Sequence, residues 1–321
     1  MLALEVIENT ESLREFQPEW SRWARKLGPA TPFQMPEWLV TWWAHFGSGL
    51  LRTFVFRRDG ALAGVLPCFL HRWEGRRQLT LVGSGITDYL DPLFRPGSEA
   101  EIVAMLRGEL RQWSDWEVCD WQDLSRDTPL RALGAITDDI PCSQITLDEP
   151  FETFLSRRPK DLKRNLRRYR DKAEAIGPVE FEVSNHANPV LVDSLVQLHR
   201  ARWAKSGQRG MIEANCSEAF LREITALPEL QDVLRIFTVR FCGCRAAILL
   251  AICNETTIFS YLSAFDPRHE AFGFGRELLA QALRYAHEHG YNRWNFLRGG
   301  EAYKFSWGAR PVAKCRLIIR P

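Results

Sequence analysis

"SAFDPRHEAFGFGRELLAQALRYAHEHG", residues 263–290, is the stretch on which the fold turns. Apolar alternation ends near Phe265, a short loop follows, and Gly273-x-Gly275 opens a helical run that stops at Gly290. A strand feeding a glycine-rich helix start aims free N–H groups and the positive end of a helix dipole above the strand end. A pyrophosphate suits that place, with Arg276 and Arg268 in position to add charge-assisted contacts. The competing reading is a plain helix start whose glycines relieve a tight turn. A dinucleotide-binding βαβ unit is not the pattern here: the third glycine is missing and three antiparallel-looking strands come first.

Those three strands are "DVLRIFTVRF" (232–241), "RAAILLAICN" (245–254) and "TTIFSYLSAF" (256–265). After the 274–289 helix comes the strand "YNRWNFL" (291–297), then "GGEAYKFSWGAR" (299–310) and a last strand, "AKCRLIIR" (313–320). Upstream, Leu162, Leu166, Tyr169, Ala173 and Ile176 recur at helical spacing within 157–177, where Gly177 is a natural cap. A strand at 179–184 and a helix at 189–205 follow. The first half shows a similar order. Helices at 11–27 and 36–46 precede a hairpin over 51–73 that turns at Asp59-Gly60. A strand (77–83), a polar loop (84–97), a helix (98–114) and strands near 116–121, 131–136 and 142–147 complete it. The expected class is α/β (α+β), with mixed, mostly antiparallel sheets flanked by helices. The boundary falls at "LDEPF" (147–151), giving halves 1–150 and 151–321.

A chain of 321 residues accommodates two domains of about 150 residues each. A net charge of +2 leaves no global field for nucleic acid or membrane, so such affinity must come from a local patch. No run reaches the roughly 20 apolar residues of a membrane span, and the acidic N-terminus does not read as a signal peptide. A cytoplasmic protein is the expectation. The eight cysteines have no metal-ligand spacing and are expected reduced and mostly buried, with Cys242 and Cys244 as packing residues. No metal is expected; His287 and His289 flank Glu288 without a third ligand at sensible spacing.

Three further constellations have two readings each. The basic helix at 157–172 is either a solvated face over its apolar stripe or a contact for an anionic partner. "DYLDPL" places Asp88, Tyr89 and Asp91 in a loop after a strand, where carboxylates hold or deprotonate an ammonium group, or simply cap a turn. "HRARWAKSGQRG" puts His199, Arg202 and Trp203 beside a glycine-bracketed loop suited to cover a substrate; His199 alone reads equally as a packed histidine.

The order of three strands, Gly-x-Gly helix start, strand and Tyr-containing segment resembles the GCN5-related N-acetyltransferase (GNAT) fold. More closely, "YLSAFDP", "GFGRELLAQALRYAHEHGYNRWNFLRGGEAYKFSWGA", "TPFQMPEWLVTWWAHFG" (31–47), "GSGITDYLDPLF" (83–94), "RRPKDLKRNLRRYRDKAEAIG" (157–177) and "LHRARW" (198–203) are similar, in order, to the acetyltransferase-like family named after the cellulose-biosynthesis protein CelD. That family is related to the Fem peptidyltransferases. The resemblance implies two tandem GNAT-like halves, the first degenerate, and an N-acyltransferase that moves an acyl group from acetyl-CoA or another acyl-CoA to an amine. The acceptor it suggests is an amino sugar or a cell-envelope or exopolysaccharide precursor. Phe265, Phe272, Gly273, Phe274, Gly275 and Arg276 would line the cofactor site. Tyr303 would be the acid and Lys304 the alternative oxyanion partner, with Asp88, Asp91, Asp266 and Glu301 competing as base. Tyr89, His199, Arg202, Trp203, Arg298 and Glu301 would face the acceptor. Where the family reads Gln or Arg, this chain has Glu270, which must point away from a bound pyrophosphate. The alternatives are a Fem-like transferase using aminoacyl-tRNA, gripped by the basic helix, and a non-catalytic binding component of polysaccharide biosynthesis.

Overall fold

In the computed structural model, which describes every residue except Pro29, the chain divides into two compact units: Met1–Pro141 with Ala313–Pro321, and Cys142–Val312. The first carries β1 (Leu2–Ile7), α1 (Thr10–Leu27), α2 (Pro36–Phe46), β2 (Leu50–Arg58), β3 (Ala61–Trp73), β4 (Arg76–Leu81), β5 (Leu93–Phe94), α3 (Glu99–Gln112), β6 (Val118–Ser125) and β7 (Ala135–Asp138). The second carries β8 (Cys142–Thr146), α4 (Phe151–Ser156), α5 (Lys160–Glu174), β9 (Val179–Ser184), α6 (Pro189–Ser206), α7 (Met211–Ala214) and α8 (Glu218–Ala226). It continues through β10 (Leu234–Phe241), β11 (Cys244–Cys253), β12 (Thr257–Phe265), α9 (Phe274–Glu288), β13 (Arg293–Arg298), α10 (Ala302–Ser306) and β14 (Arg310–Val312). The last strand, β15 (Lys314–Ile319), belongs to the first unit.

Local chemistry accounts for most of these elements. In α1 the Asn9 side chain accepts from Ser12 N–H, Leu13, Phe16, Trp20 and Ala24 form the buried stripe, and Gly28 caps the end. Asp59 and Gly60 both have positive φ, 49° and 82°, the conformation a two-residue hairpin between β2 and β3 needs.

The strand order is β1-β2-β3-β4-β6-β15-β7 in one sheet, with β5 on β3, and β9-β10-β11-β12-β13-β8-β14 in the other. The two sheets correspond position by position. In each, among the described residues, one ladder is parallel: β4 with β6 through Gln78↔Val118 and Leu79↔Cys119, and β12 with β13 through Thr257↔Arg293 to Phe259↔Asn295. The fold is therefore a mixed α/β tandem of two mostly antiparallel sheets flanked by helices.

Two strands are not where the periodicity alone suggests. β8, expected to close the first half, pairs with β13 through Trp294↔Ile145 and Asn295↔Gln144. β15, expected to close the second, lies between β6 and β7. The boundary accordingly moves from the expected 147–151 to 141/142, with a second crossing at 312/313. Alternation marks a strand but not its partner, because pairing is a long-range choice. Five of the eight cysteines are buried, in keeping with the expectation, but Cys242 and Cys244 are not the packing residues expected. Cys216, Cys242 and Cys244 are exposed, the last two flanking Gly243 at the β10–β11 turn, and all eight are free. No helix among the described residues is long and apolar enough to cross a membrane.

Truncation after Val312 removes β15 with its buried Leu317 and Ile319, roughly 3–6 kcal/mol of burial. Hydrogen exchange should then show β6 and β7 amides unprotected and β10–β12 amides still protected. Retained protection of β6 would contradict this pairing.

Candidate functional site

The site grows from the parting of β12 and β13. Their parallel register ends at Phe259↔Asn295. On β12, Leu262 stands opposite Leu250 and Ser260 opposite Ala251, leaving Tyr261 as an extra residue that bends the strand. On β13 the ladder is irregular between Asn295 and Arg298, and Leu297 takes a left-handed φ of 61°. That conformation costs an L-residue about 1–2 kcal/mol. The buried Asn295 side chain supports it by accepting from Leu297 N–H at 2.8 Å.

Lys304 completes the bend. It is 2% exposed, and its Nζ donates to the carbonyls of Leu297 (3.4 Å), Arg298 (2.8 Å) and Gly299 (3.2 Å) and lies 2.8 Å from Glu301 Oε2. An ammonium has three protons, and here four acceptors surround it. Lys304, expected as an oxyanion partner, here clamps the strand end. Its neighbour Tyr303 is half-exposed and sets its ring edge-on to Phe296 at 6.0 Å. Desolvation first, then the Glu301 carboxylate, pushes the Tyr303 phenol up to about 12, with Arg202 opposing. Trp307 is buried, and its carbonyl accepts from Arg158 Nη1 at 3.0 Å.

The Gly-x-Gly segment begins α9 as expected. Gly273 is left-handed, with φ 61°, and a Cβ there would stand 2.7 Å from the Tyr169 ring; at Gly275 it would meet Phe265 at 3.2 Å. The first turn closes through Arg276 and Glu277 N–H to the Gly273 carbonyl. The amides of Phe274 and Gly275 belong to the group that a helix start leaves without intrahelical acceptors. Residues outside the expected set complete this corner. α5 docks on it through Arg170 to Glu277 (2.6 Å), Lys172 over Phe272 (5.1 Å) and Tyr169 on Gly273. The Tyr169 ring lies 4.8 Å from the Arg168 guanidinium and 5.6 Å from that of Arg276. Arg168 first, with Arg276 adding, holds the Tyr169 phenol below its ordinary value. Glu270 forms an ion pair with Lys205, so a donor and counter-charge for it is already present.

Other expected residues take different places. His199 is 1% exposed, packed with Trp203 beneath Gly210, where a Cβ would fall 2.2 Å from either ring; desolvation lowers its pKa. It is a core histidine, not a substrate contact. Asp266 is buried and held below its usual value by the Arg268 fork, with contacts of 2.6–3.0 Å, which makes it a weaker base than a free carboxylate. Arg202 reaches from α6 over Phe265 (4.8 Å) and Trp203 (5.5 Å). Arg298, at the end of β13, is partly exposed, and its carbonyl is one of the Lys304 acceptors.

Asp88, Tyr89 and Asp91 are fixtures of the first unit. The Asp91 carboxylate accepts from Ser125 N–H (3.0 Å) and Oγ (2.5 Å). The buried Asp88 offers its carbonyl to Lys314 at 2.7 Å, and Tyr89 lies under the same ammonium at 3.8 Å. Here these three residues, expected as base and acceptor contacts, fasten this loop.

Residues 160–305 match the family described as Acetyltransferase (GNAT) domain. The match lies within the second unit, which has the GNAT-type acyltransferase fold. Among solved structures, FemX is 11% identical with a TM-score of 0.65, covering 94% of this chain and 96% of its own. A conserved protein of unknown function from Bacteroides thetaiotaomicron is 12% identical, with a TM-score of 0.63 and coverage of 99% and 100%. L-PGS from Bacillus licheniformis is 15% identical, with a TM-score of 0.59 and coverage of 97% and 91%. At these identities the likeness is one of fold. No curated protein matches the sequence.

Gly273→Ala should destabilise by about 2–4 kcal/mol, from positive φ and ring overlap together. A urea double-mutant cycle with Tyr169→Ala should show coupling of about 1–3 kcal/mol, and strict additivity would contradict the contact. Lys304→Met should lower stability by roughly 2–4 kcal/mol, because it leaves three carbonyls without their donor. A change below about 0.5 kcal/mol, the level of an ordinary surface site, would contradict the clamp.

Proposed function

We propose that the second unit is an acyl-CoA-dependent N-acyltransferase of the GNAT/Fem-like group, CelD-type within it. The observation that carries this reading is the α9 start: left-handed Gly273, the free first-turn amides of Phe274 and Gly275, and the Arg276 and Arg168 guanidinia around Tyr169. Amides and guanidinia converging on one helix start suit a diphosphate. Glu270, paired with Lys205, does not oppose it.

When bound, the thioester supplies an activated acyl carbonyl. The amides of Phe274 and Gly275, with Arg276, hold the diphosphate. A backbone N–H at the β12 bulge, beside Tyr261, polarises the carbonyl. As the C–N bond forms and the C–S bond breaks, Tyr303 donates its proton to the departing thiolate. Glu301 is the acid that combines exposure with influence on Tyr303, and it takes the ammonium proton. The acceptor is an amine such as an amino sugar or cell-envelope precursor. The outward Lys160, Arg164 and Arg167 of α5 form the contact for an anionic partner.

The sign of the pH dependence follows from the raised Tyr303 value. The phenol stays protonated, and so competent as an acid, until pH approaches about 12. No fall of kcat from its ionisation should appear between about pH 8 and 10, and Tyr303→Phe should lower kcat by about 10²–10⁴ with acetyl-CoA binding kept. A Tyr303→Phe protein with unchanged kcat would remove this role.

The reading is tested by thermal-shift titration with acetyl-CoA, longer acyl-CoAs and an aminoacyl-tRNA. A saturable shift with a CoA thioester is expected, weakened about tenfold by Arg276→Gln. No response to any CoA thioester would overturn the reading, and a response to aminoacyl-tRNA alone would favour the Fem-like chemistry.

A further inference from the structure

Arg202 is a cation of this cluster whose hydrogen-bonding capacity is, among the described residues, largely unused. Its guanidinium is partly buried and lies 4.8 Å from the Phe265 ring centroid and 5.5 Å from that of Trp203. Stacking on aromatic faces orients a guanidinium and leaves its in-plane N–H groups for acceptors. Among the described residues, its one hydrogen bond is long, 3.4 Å to the Ser263 carbonyl, and a guanidinium carries five donors. Other arginines of the same unit are differently placed. Arg158 donates to the carbonyls of Phe154 and Trp307, Arg170 to the Glu277 carboxylate, and Arg268 grips Asp266. Near Arg202 stand the Tyr303 phenol and the Glu301 carboxylate, and Glu301 is engaged by Lys304.

A partly dehydrated cation without a matched anion is costly, so an anionic ligand at this point is strongly favoured. Arg202 stands on the exposed stretch of β12 at Ser263, beyond the parting of β12 and β13, on the Tyr303 and Glu301 side. We propose that Arg202 reads an anionic group on the acceptor, so that the substrate class is an amine bearing a carboxylate or a phosphate. This rests on the acyl-transfer reading above and adds the chemistry of its acceptor. Glu301 and Tyr303 meet the ammonium end while Arg202 fixes the anionic end. An amine lacking the anion leaves the guanidinium unmatched and binds more weakly.

The test uses matched pairs: glycine with glycinamide, O-phosphoethanolamine with ethanolamine, and glucosamine 6-phosphate with glucosamine. CoA thiol release from acetyl-CoA is measured for wild type, Arg202→Gln and Arg202→Lys. In at least one pair the anionic amine should be preferred about tenfold or more in kcat/KM, the size expected of one charge-assisted contact. Arg202→Gln should bring that ratio within about twofold of unity, and Arg202→Lys should retain part of it. The acetyl-CoA thermal shift should be unchanged in both variants. Preference in the glycine pair alone assigns a carboxylate, and preference in the phosphate pairs alone assigns a phosphate. Equal use of all pairs, or a preference that survives Arg202→Gln, overturns the proposal. Loss of the acetyl-CoA shift in Arg202→Gln also overturns it, because the residue would then serve the donor. If wild type does not respond to CoA thioesters, the acyl-transfer reading fails by itself. Calorimetric binding of the same pairs to wild type and Arg202→Gln then decides the role of Arg202 separately, and absence of binding by every amine counts against it.

Discussion

Two parallel strands that pair for three residues and then part are the constraint behind the second unit. β12 and β13 stay together from Thr257 and Arg293 to Phe259 and Asn295. Beyond that point an extra residue bends β12, and β13 turns through a left-handed Leu297. An unsupported turn of this kind would relax. The Asn295 side chain and the buried Lys304 ammonium hold it, and each uses groups that only the bent backbone presents. Lys304 matters to the site through the shape it imposes on residues 297–301, the segment that carries Glu301 and leads into Tyr303.

The first unit repeats the arrangement with its own chain in the same place. β4 and β6 are its parallel pair, and Asp123 on β6 is left-handed at φ 59°. A buried lysine again collects carbonyls: Lys314 donates to Asp123 at 2.6 Å and to Asp88 at 2.7 Å. Here residues 86–90 are almost entirely buried, and Leu90 N–H donates to the Asp123 carbonyl. The loop after β4 is thereby fastened to β6 and β15. In the second unit the stretch after β12 instead opens into the glycine start of α9. One backbone plan thus carries a packed loop in one unit and a helix start with free amides in the other.

Helices, hairpins and the 263–290 segment were legible because their signals are local. Apolar spacing, the Asp59-Gly60 turn and the Gly-x-Gly start each act within a few residues. The exchanged positions of β8 and β15 were not legible, since an alternating strand says nothing about its partner. Side-chain partners were not legible for a related reason. Lys304, Asp91 and Asp266 read as reactive groups because charge is visible in a sequence while the acceptor or donor that engages it is not. His199 read as a packed histidine or a substrate contact, and it is packed beneath Gly210. Tyr169 was visible only as part of an apolar stripe at helical spacing. Its contact with Gly273, and the Arg168 and Arg276 guanidinia on either side, depend on how α5 crosses the start of α9.

The central claim is that the start of α9 holds the diphosphate of an acyl-CoA. Titration calorimetry comparing coenzyme A with pantetheine, which has the same thiol arm without phosphates, tests it most directly. Saturable one-to-one binding of coenzyme A is expected, at least about tenfold tighter than pantetheine and weakening as salt is raised. Equal affinity for the two compounds, or no binding of coenzyme A, would contradict it.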